Sequence, residues 1–168
     1  MNDKKLTIDI VSDVVCPWCV IGYKNLRIAE NILKDDLILR IDWKPYQLHP
    51  YVPEEGIERS LFLKNKFGSF STVNRKRDSE HLEKLGREVG FVFNFKKAKK
   101  IPNTLQSHRL IELFTDVKIR SEIVEELFLS YFTEGLNISL KEDLLKIGKK
   151  MHLDALILEK FFYSDDCL

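Results

Sequence analysis

The chain has 168 residues, of which 44% are hydrophobic and 32% charged, with a formal net charge of +1. That length suits one domain of ordinary size, or a small domain carrying an insertion, and the composition excludes both a disordered chain and a disulfide-stapled miniprotein. The near-neutral balance provides no field for nucleic acid or an anionic membrane. No apolar run approaches the roughly 20 residues of a spanning helix, and Asp9 and Asp13 interrupt what would be the apolar core of an export signal. A cytoplasmic protein is expected, with neither nucleic acid nor membrane as partner.

Leu6, Ile8 and Ile10 alternate with Thr7 and Asp9, and Val11 follows, which reads as a strand. Residues 12–16 form the turn after it. Pro17 fits the first helical position, where its missing N–H costs nothing. Val20, Tyr23, Leu26, Ala29 and Leu33 then recur at helical spacing, predicting a helix over 17–34. After the polar break at residues 34–36, Leu37, Leu39, Ile41 and Trp43 alternate with polar neighbours. This is a second strand ending before Pro45, with Trp43 in the core. A helical crossover between two strands implies parallel pairing and a right-handed connection.

Pro45, Pro50, Pro53 and Gly56 mark an irregular loop. Beyond it the spacing predicts helices over 59–67, 72–89, 103–114, 119–132, 139–150 and 155–162. Ser139 with Glu142 has the spacing of a capping box, and Asp154 is placed to cap the last helix. Phe91, Phe93 and Phe95 alternate as a short extended piece with one face inward. Nothing repeats and no linker divides the chain, so the helical block reads as an insertion into the β-α-β unit, or a lid over it.

Cys16-Pro17-Trp18-Cys19 is the strongest chemical signal. A thiolate is the attacking species in disulfide exchange, and a helix N-terminus stabilises that anion through unpaired N–H groups and the helix dipole. Cys16 has that position, and Cys19 lies one helical turn on, where it can displace whatever Cys16 captures. Pro17 stiffens the loop and Trp18 offers an apolar surface, so both bias the redox potential. The rival readings are half a zinc site or two inert thiols. Zinc in a structural site takes four ligands, and Cys167, His49, His81, His108 and His152 are not paired at ligand spacing, so no metal is expected. His49 in its loop reads as solvated, Cys167 as a free terminal thiol, and the clusters at 75–77 and 96–100 as solvated faces.

Val11 to Gly22, VSDVVCPWCVIG, resembles the active-site signature of the FrnE-like branch of DsbA-family thiol oxidoreductases. The resemblance continues in PYQLHPYVPEEG at 45–56, although His49 stands where an asparagine is common. It continues again in Asn103-Thr104 with His108-Arg109-Leu110, and in YFTEGLNI at 131–138. It implies an α/β fold in which a thioredoxin-like β-α-β unit carries a large inserted α-helical domain. Residues 1–58 would be the thioredoxin-like part with the CxxC, and residues 59–168 the helical insertion. The family's C-terminal β-β-α half, with its cis-proline strand, is expected to be absent from this sequence.

The function implied is thiol-disulfide oxidoreductase or isomerase, with Cys16 as nucleophile, Cys19 resolving, and Pro17 and Trp18 beside them. The resemblance places the helix of His108 and Arg109 over the active site, where they and Asn103 are candidate substrate contacts; the rival reading of His108 and Arg109 is a surface or helix-packing pair. No bound cofactor is expected beyond the redox-active disulfide itself. The partners are a protein or peptide disulfide and glutathione, or a protein dithiol, as recycling co-substrate. A homodimer that covers the open sheet edge is also expected. Two alternatives share the architecture: a truncated, non-catalytic peptide-binding remnant, and a glutathione-dependent isomerase or transferase of the hydroxychromene-carboxylate isomerase type.

Overall fold

In the computed structural model, which describes residues 4–68 and 72–163, β1 (Lys4–Ser12) and β2 (Leu37–Pro45) pair in parallel around the crossover helix α1 (Pro17–Ile32). The register sets Leu6 opposite Leu39, Ile8 opposite Ile41 and Ile10 opposite Trp43. Because side chains alternate across a strand, this apolar set shares one face. The other face carries Lys5, Thr7, Asp9, Arg40, Asp42 and Lys44. Trp43 is buried, as its place in the alternation predicts. Its ring meets Tyr23 of α1 edge-on at 4.9 Å, and its Nε1 donates to Ser121 at 3.0 Å. Arg120 fastens the same strand from the helical block, donating to Asp42 at 3.2 Å and to the Trp43 carbonyl at 3.1 Å.

The helical block comprises α2 (Arg59–Phe67), α3 (Thr72–Glu88), α4 (Leu105–Glu112), α5 (Val117–Leu129), α6 (Lys141–Lys150) and α7 (Ala155–Tyr163). A π-helical turn, Ser130–Glu134, follows α5. Two short strands escape sequence reading: β3 (Ile57–Glu58) and β4 (Lys100–Ile101) pair antiparallel. Two residues are too few to show a period. Leu110, Ile123, Leu127, Phe128, Phe132, Ile138, Leu144 and Leu158 have no exposed surface and form one continuous cluster with Val20, Tyr23, Ile41 and Trp43. Truncating such a leucine to alanine costs about 2–5 kcal/mol. The core is therefore centred in the helical block, whereas β1 is exposed or half-buried from Lys4 to Val11.

Phe91 and Phe93 are buried against Phe132 while Val92 points outward, the expected one-faced packing of a segment without strand pairing. Asp154 caps α7 as expected, accepting from the amides of Leu156 and Ile157 at 2.8 and 3.2 Å. The capping box does not form. The Ser139 hydroxyl accepts from the Asn103 amide at 2.8 Å, and α6 starts after Leu140 with no side-chain cap. The helix expected from residue 119 begins at Val117, because Asp116 accepts from the amides of Lys118 and Ile119 at 2.7 and 3.3 Å. Among the described residues no helix is long and apolar enough to cross a membrane.

Candidate active site

β1 ends at Ser12 and the chain turns through buried Asp13, Val14 and Val15 into α1. The Cys16 amide donates to the Asp13 carbonyl at 3.0 Å and closes the turn. Cys16 is the N-cap residue, with φ −92° and ψ 112°, and Pro17 follows at the start of the helix. No carboxylate occupies the first turn of α1, so its positive end is left to the sulfurs. Both cysteines are free thiols and both are half-buried. Cys19, unlike Cys16, packs against the core cluster. Trp18 projects from the same turn, 56% exposed, with its ring 6.3 Å from His81 of α3.

The two thiols ionise as a pair. Cys19 is lowered from 9.0 to about 6, chiefly because the Cys16 thiol donates a hydrogen bond to its sulfur; burial opposes this, and the Ser12 hydroxyl and the Asp13 backbone assist. The Ser12 oxygen is buried and has no other hydrogen-bond partner. Cys16 is pushed above the ordinary thiol range, first by that same bond to Cys19, then by burial and by the charge on Cys19. The bond between the sulfurs leaves one proton shared by the pair, and it lowers Cys19 while it raises Cys16. The backbone amides of Trp18 and Cys19 act on Cys16 in the opposite sense, favouring its thiolate. That is the helix N-terminal effect the sequence predicts, here outweighed by the neighbouring sulfur.

Below the pair sits Asp13, whose side chain has no exposed surface. Its Oδ2 accepts from the Leu48 amide at 2.7 Å, and its Oδ1 accepts from the Val15 amide at 3.4 Å and lies 3.3 Å from Nε2 of buried His108. Of the residues expected over the site, His108 is thus linked to it through Asp13. Arg109 turns elsewhere, bonding Gln106 at 3.1 Å and lying over the Phe161 ring at 4.9 Å. Asn103 ties the loop to the helices. Its amide nitrogen donates to the Val52 carbonyl at 2.7 Å, and its oxygen accepts from Gln47 at 3.1 Å and from the Leu105 amide at 3.0 Å. With Gln106, Ser139 and Glu142 it borders a cleft of about 380 Å³.

His49 is not simply solvated: it packs 4.6 Å from Phe62, and burial, with Lys66 nearby, holds its imidazole below the usual range. Sequence reading missed Asp13 and Ser12 as site residues. A carboxylate three positions before the first cysteine was a signal, but it was read only as a break in an apolar run. Among the described residues no group of three or more histidine, cysteine or carboxylate side chains is arranged to hold a metal. Cys167 lies outside the described residues.

This arrangement, a strand delivering a CxxC to the start of a helix with a helical block packed beside it, agrees with the sequence family. The chain belongs to the DSBA-like thioredoxin domain family, whose model matches residues 7–167. Among solved structures it is similar to one described as a probable DsbA oxidoreductase from Streptomyces coelicolor. That match has a TM-score of 0.84 and 18% identity, and covers 94% of this chain and 68% of that one. It is also similar to a 2-hydroxychromene-2-carboxylate isomerase, with a TM-score of 0.58 and 17% identity, covering 96% of this chain and 73% of that one. At these identities the structural likeness concerns the fold. No curated protein sequence matches the chain.

Proposed function

We propose that the protein is a thiol-disulfide oxidoreductase or isomerase acting on protein or small-molecule disulfides, with Cys16 as nucleophile and Cys19 as resolving thiol. The observation that carries this reading is the pair of half-buried free thiols one helical turn apart at the start of α1, with Cys16 as its N-cap residue and Pro17 next. When the shared proton moves to Cys19, Cys16 becomes the thiolate that the Trp18 and Cys19 amides favour. Its electron pair attacks a substrate sulfur, the substrate S–S bond breaks, and the departing thiolate takes a proton from water. Cys19 then attacks Cys16, forming the internal disulfide and releasing the second substrate thiol. Glutathione or a protein dithiol returns the pair to the reduced state. Reduction of insulin by glutathione, followed as turbidity with wild-type protein and Cys16→Ser, tests the reading: activity lost in the variant supports it, and equal activity ends it.

A second reading is favoured by the likeness to the hydroxychromene-carboxylate isomerase: glutathione held as a cofactor while an organic substrate isomerises. Tight glutathione binding without thiol turnover distinguishes it.

The proposed partner for β1 is a second copy of the chain. Among the described residues no strand pairs with the outer edge of β1, and Leu6, Val11, Ile28 and Ile32 are exposed on β1 and α1. Antiparallel self-pairing centred on Thr7 would set Lys5 of each copy opposite Asp9 of the other, and Leu6 opposite Ile8. Opposite charges and apolar side chains facing across strands favour that register.

A further inference from the structure

Asp13 is where the thiol pair, the loop and the helical block meet. Its carbonyl holds the Cys16 amide, its own backbone supports the Cys19 sulfur, and its carboxylate takes the Leu48 amide. A fully buried carboxylate beside a sulfur that must become an anion opposes that ionisation. In the reduced protein the Cys16 S–H offsets this effect. Once Cys16 is bonded to a substrate sulfur it has no hydrogen to donate, and Cys19 loses that help at the step in which it must ionise.

The side chain within ion-pair distance of the Asp13 carboxylate is His108, whose buried Nε2 lies 3.3 Å from Oδ1 and makes no hydrogen bond. Other charged or titratable groups surround this couple. Cys16 and Cys19 lie on α1. Lys44 and Glu112 border the small cavity beside His108, but Lys44 is engaged by Asp42 and Glu112 by Arg120. His49 and Tyr131 feel the Asp13 charge from the loop and the π-helical turn; burial keeps His49 toward its neutral form and raises Tyr131 to about 12.

We propose that His108 is a positioning residue for the resolving thiol: its buried imidazole faces the Asp13 carboxylate and, when protonated, offsets that charge, so that Cys19 can ionise while Cys16 is bonded to substrate. This deepens the reading of Cys16 and Cys19 as an exchange pair and rests on it. In the step served, Cys19 gives its proton to solvent and its electron pair forms the bond to Cys16 Sγ. The Cys16–substrate S–S bond breaks, and the departing substrate thiolate takes a proton from water. The protein is oxidised by two electrons and the substrate is reduced by two.

The test uses the full chain with Cys16→Ala and Cys167→Ser, which leaves Cys19 as the single thiol and removes the Cys16 S–H as a mixed disulfide does. Thiolate absorbance is followed against pH in this parent and with His108→Gln, His108→Ala or Asp13→Asn added. The expected result is a midpoint about one pH unit higher in both His108 variants and about one unit lower in Asp13→Asn. Adding His108→Gln to Asp13→Asn should then change nothing further, since no charge is left to offset. His108→Gln keeps size and polarity, so it carries the test where the alanine variant fails to fold. A His108→Gln protein that melts like the parent and titrates at the parent's midpoint overturns the proposal. No substrate is involved, so failure here is distinct from failure to reduce insulin.

Discussion

The lowered first ionisation of the thiol pair fixes a rate that can be measured. An ordinary thiol with its midpoint at 9.0 is about 1% ionised at pH 7, whereas one at about 6 is about 90% ionised, a gain near a hundredfold in thiolate. Nucleophilicity falls with basicity at about 0.4–0.5 log unit per unit of pKa, so the lower midpoint takes back about a factor of 16–32. The reduced protein with Cys167→Ser should therefore react with iodoacetamide at pH 7 about three- to sixfold faster than a thiol whose midpoint is 9.0. Its rate profile should inflect at about pH 6. Cys19→Ala removes both the hydrogen-bond acceptor and the charge that raise Cys16, while burial still opposes the remaining Trp18 and position-19 amides. The Cys16 titration in that variant should drop from above the ordinary range into it. A wild-type profile with one inflection at the free-cysteine value, unmoved by Cys19→Ala, would refute the shared proton.

The same ionisation sets the pH dependence of the midpoint potential. Below about 6 two protons accompany two electrons, giving about 59 mV per pH unit, and above it one proton gives about 30 mV. A constant slope from pH 5 to 8 would count against it. Stability of the reduced form follows the same sign. The lowered Cys19 contributes fully above 9.0 and loses its contribution as pH falls through about 6, while the raised Cys16 works against the fold once pH climbs past 9.0. Gly135→Ala should cost about 2–3 kcal/mol and lower the melting temperature by about 5–10 °C. Gly135 has φ +83°, and an added Cβ would meet the Lys97 carbonyl oxygen at 2.6 Å; a melt within a degree of wild type contradicts this. For the β1 pairing, sedimentation should show a dimer that Asp9→Lys weakens and the swap Lys5→Asp with Asp9→Lys restores. Equal association in all three proteins would refute the register.

The β-α-β unit was legible because its strands alternate strictly and Pro17 marks the helix start. Parallel pairing then followed from chirality alone. The thiol pair was legible for the same reason, since its chemistry is local to one helical turn. What could not be read depended on partners distant in sequence. Ser139 looked like a cap until Asn103, 36 residues away, claimed its hydroxyl. The role of Asp13 appears only when His108 and Leu48 are folded onto it. The helix N-terminus at Cys16 is visible in sequence, whereas the coupling that lowers Cys19 and raises Cys16 depends on how the two side chains face each other. The side-chain bonds of Asn103 to Val52 and of Arg109 to Gln106 likewise become visible only in the folded chain.

Equilibration of the Cys167→Ser protein in glutathione buffers of graded ratio, with acid quenching and mass spectrometry of the trapped species, tests the exchange chemistry most directly. The account predicts one reversible two-electron transition between the dithiol and a Cys16–Cys19 disulfide, with mixed disulfide on residue 16 accumulating when residue 19 is alanine. A protein that stays a dithiol across the whole range, or that traps glutathione on residue 19 alone, contradicts it.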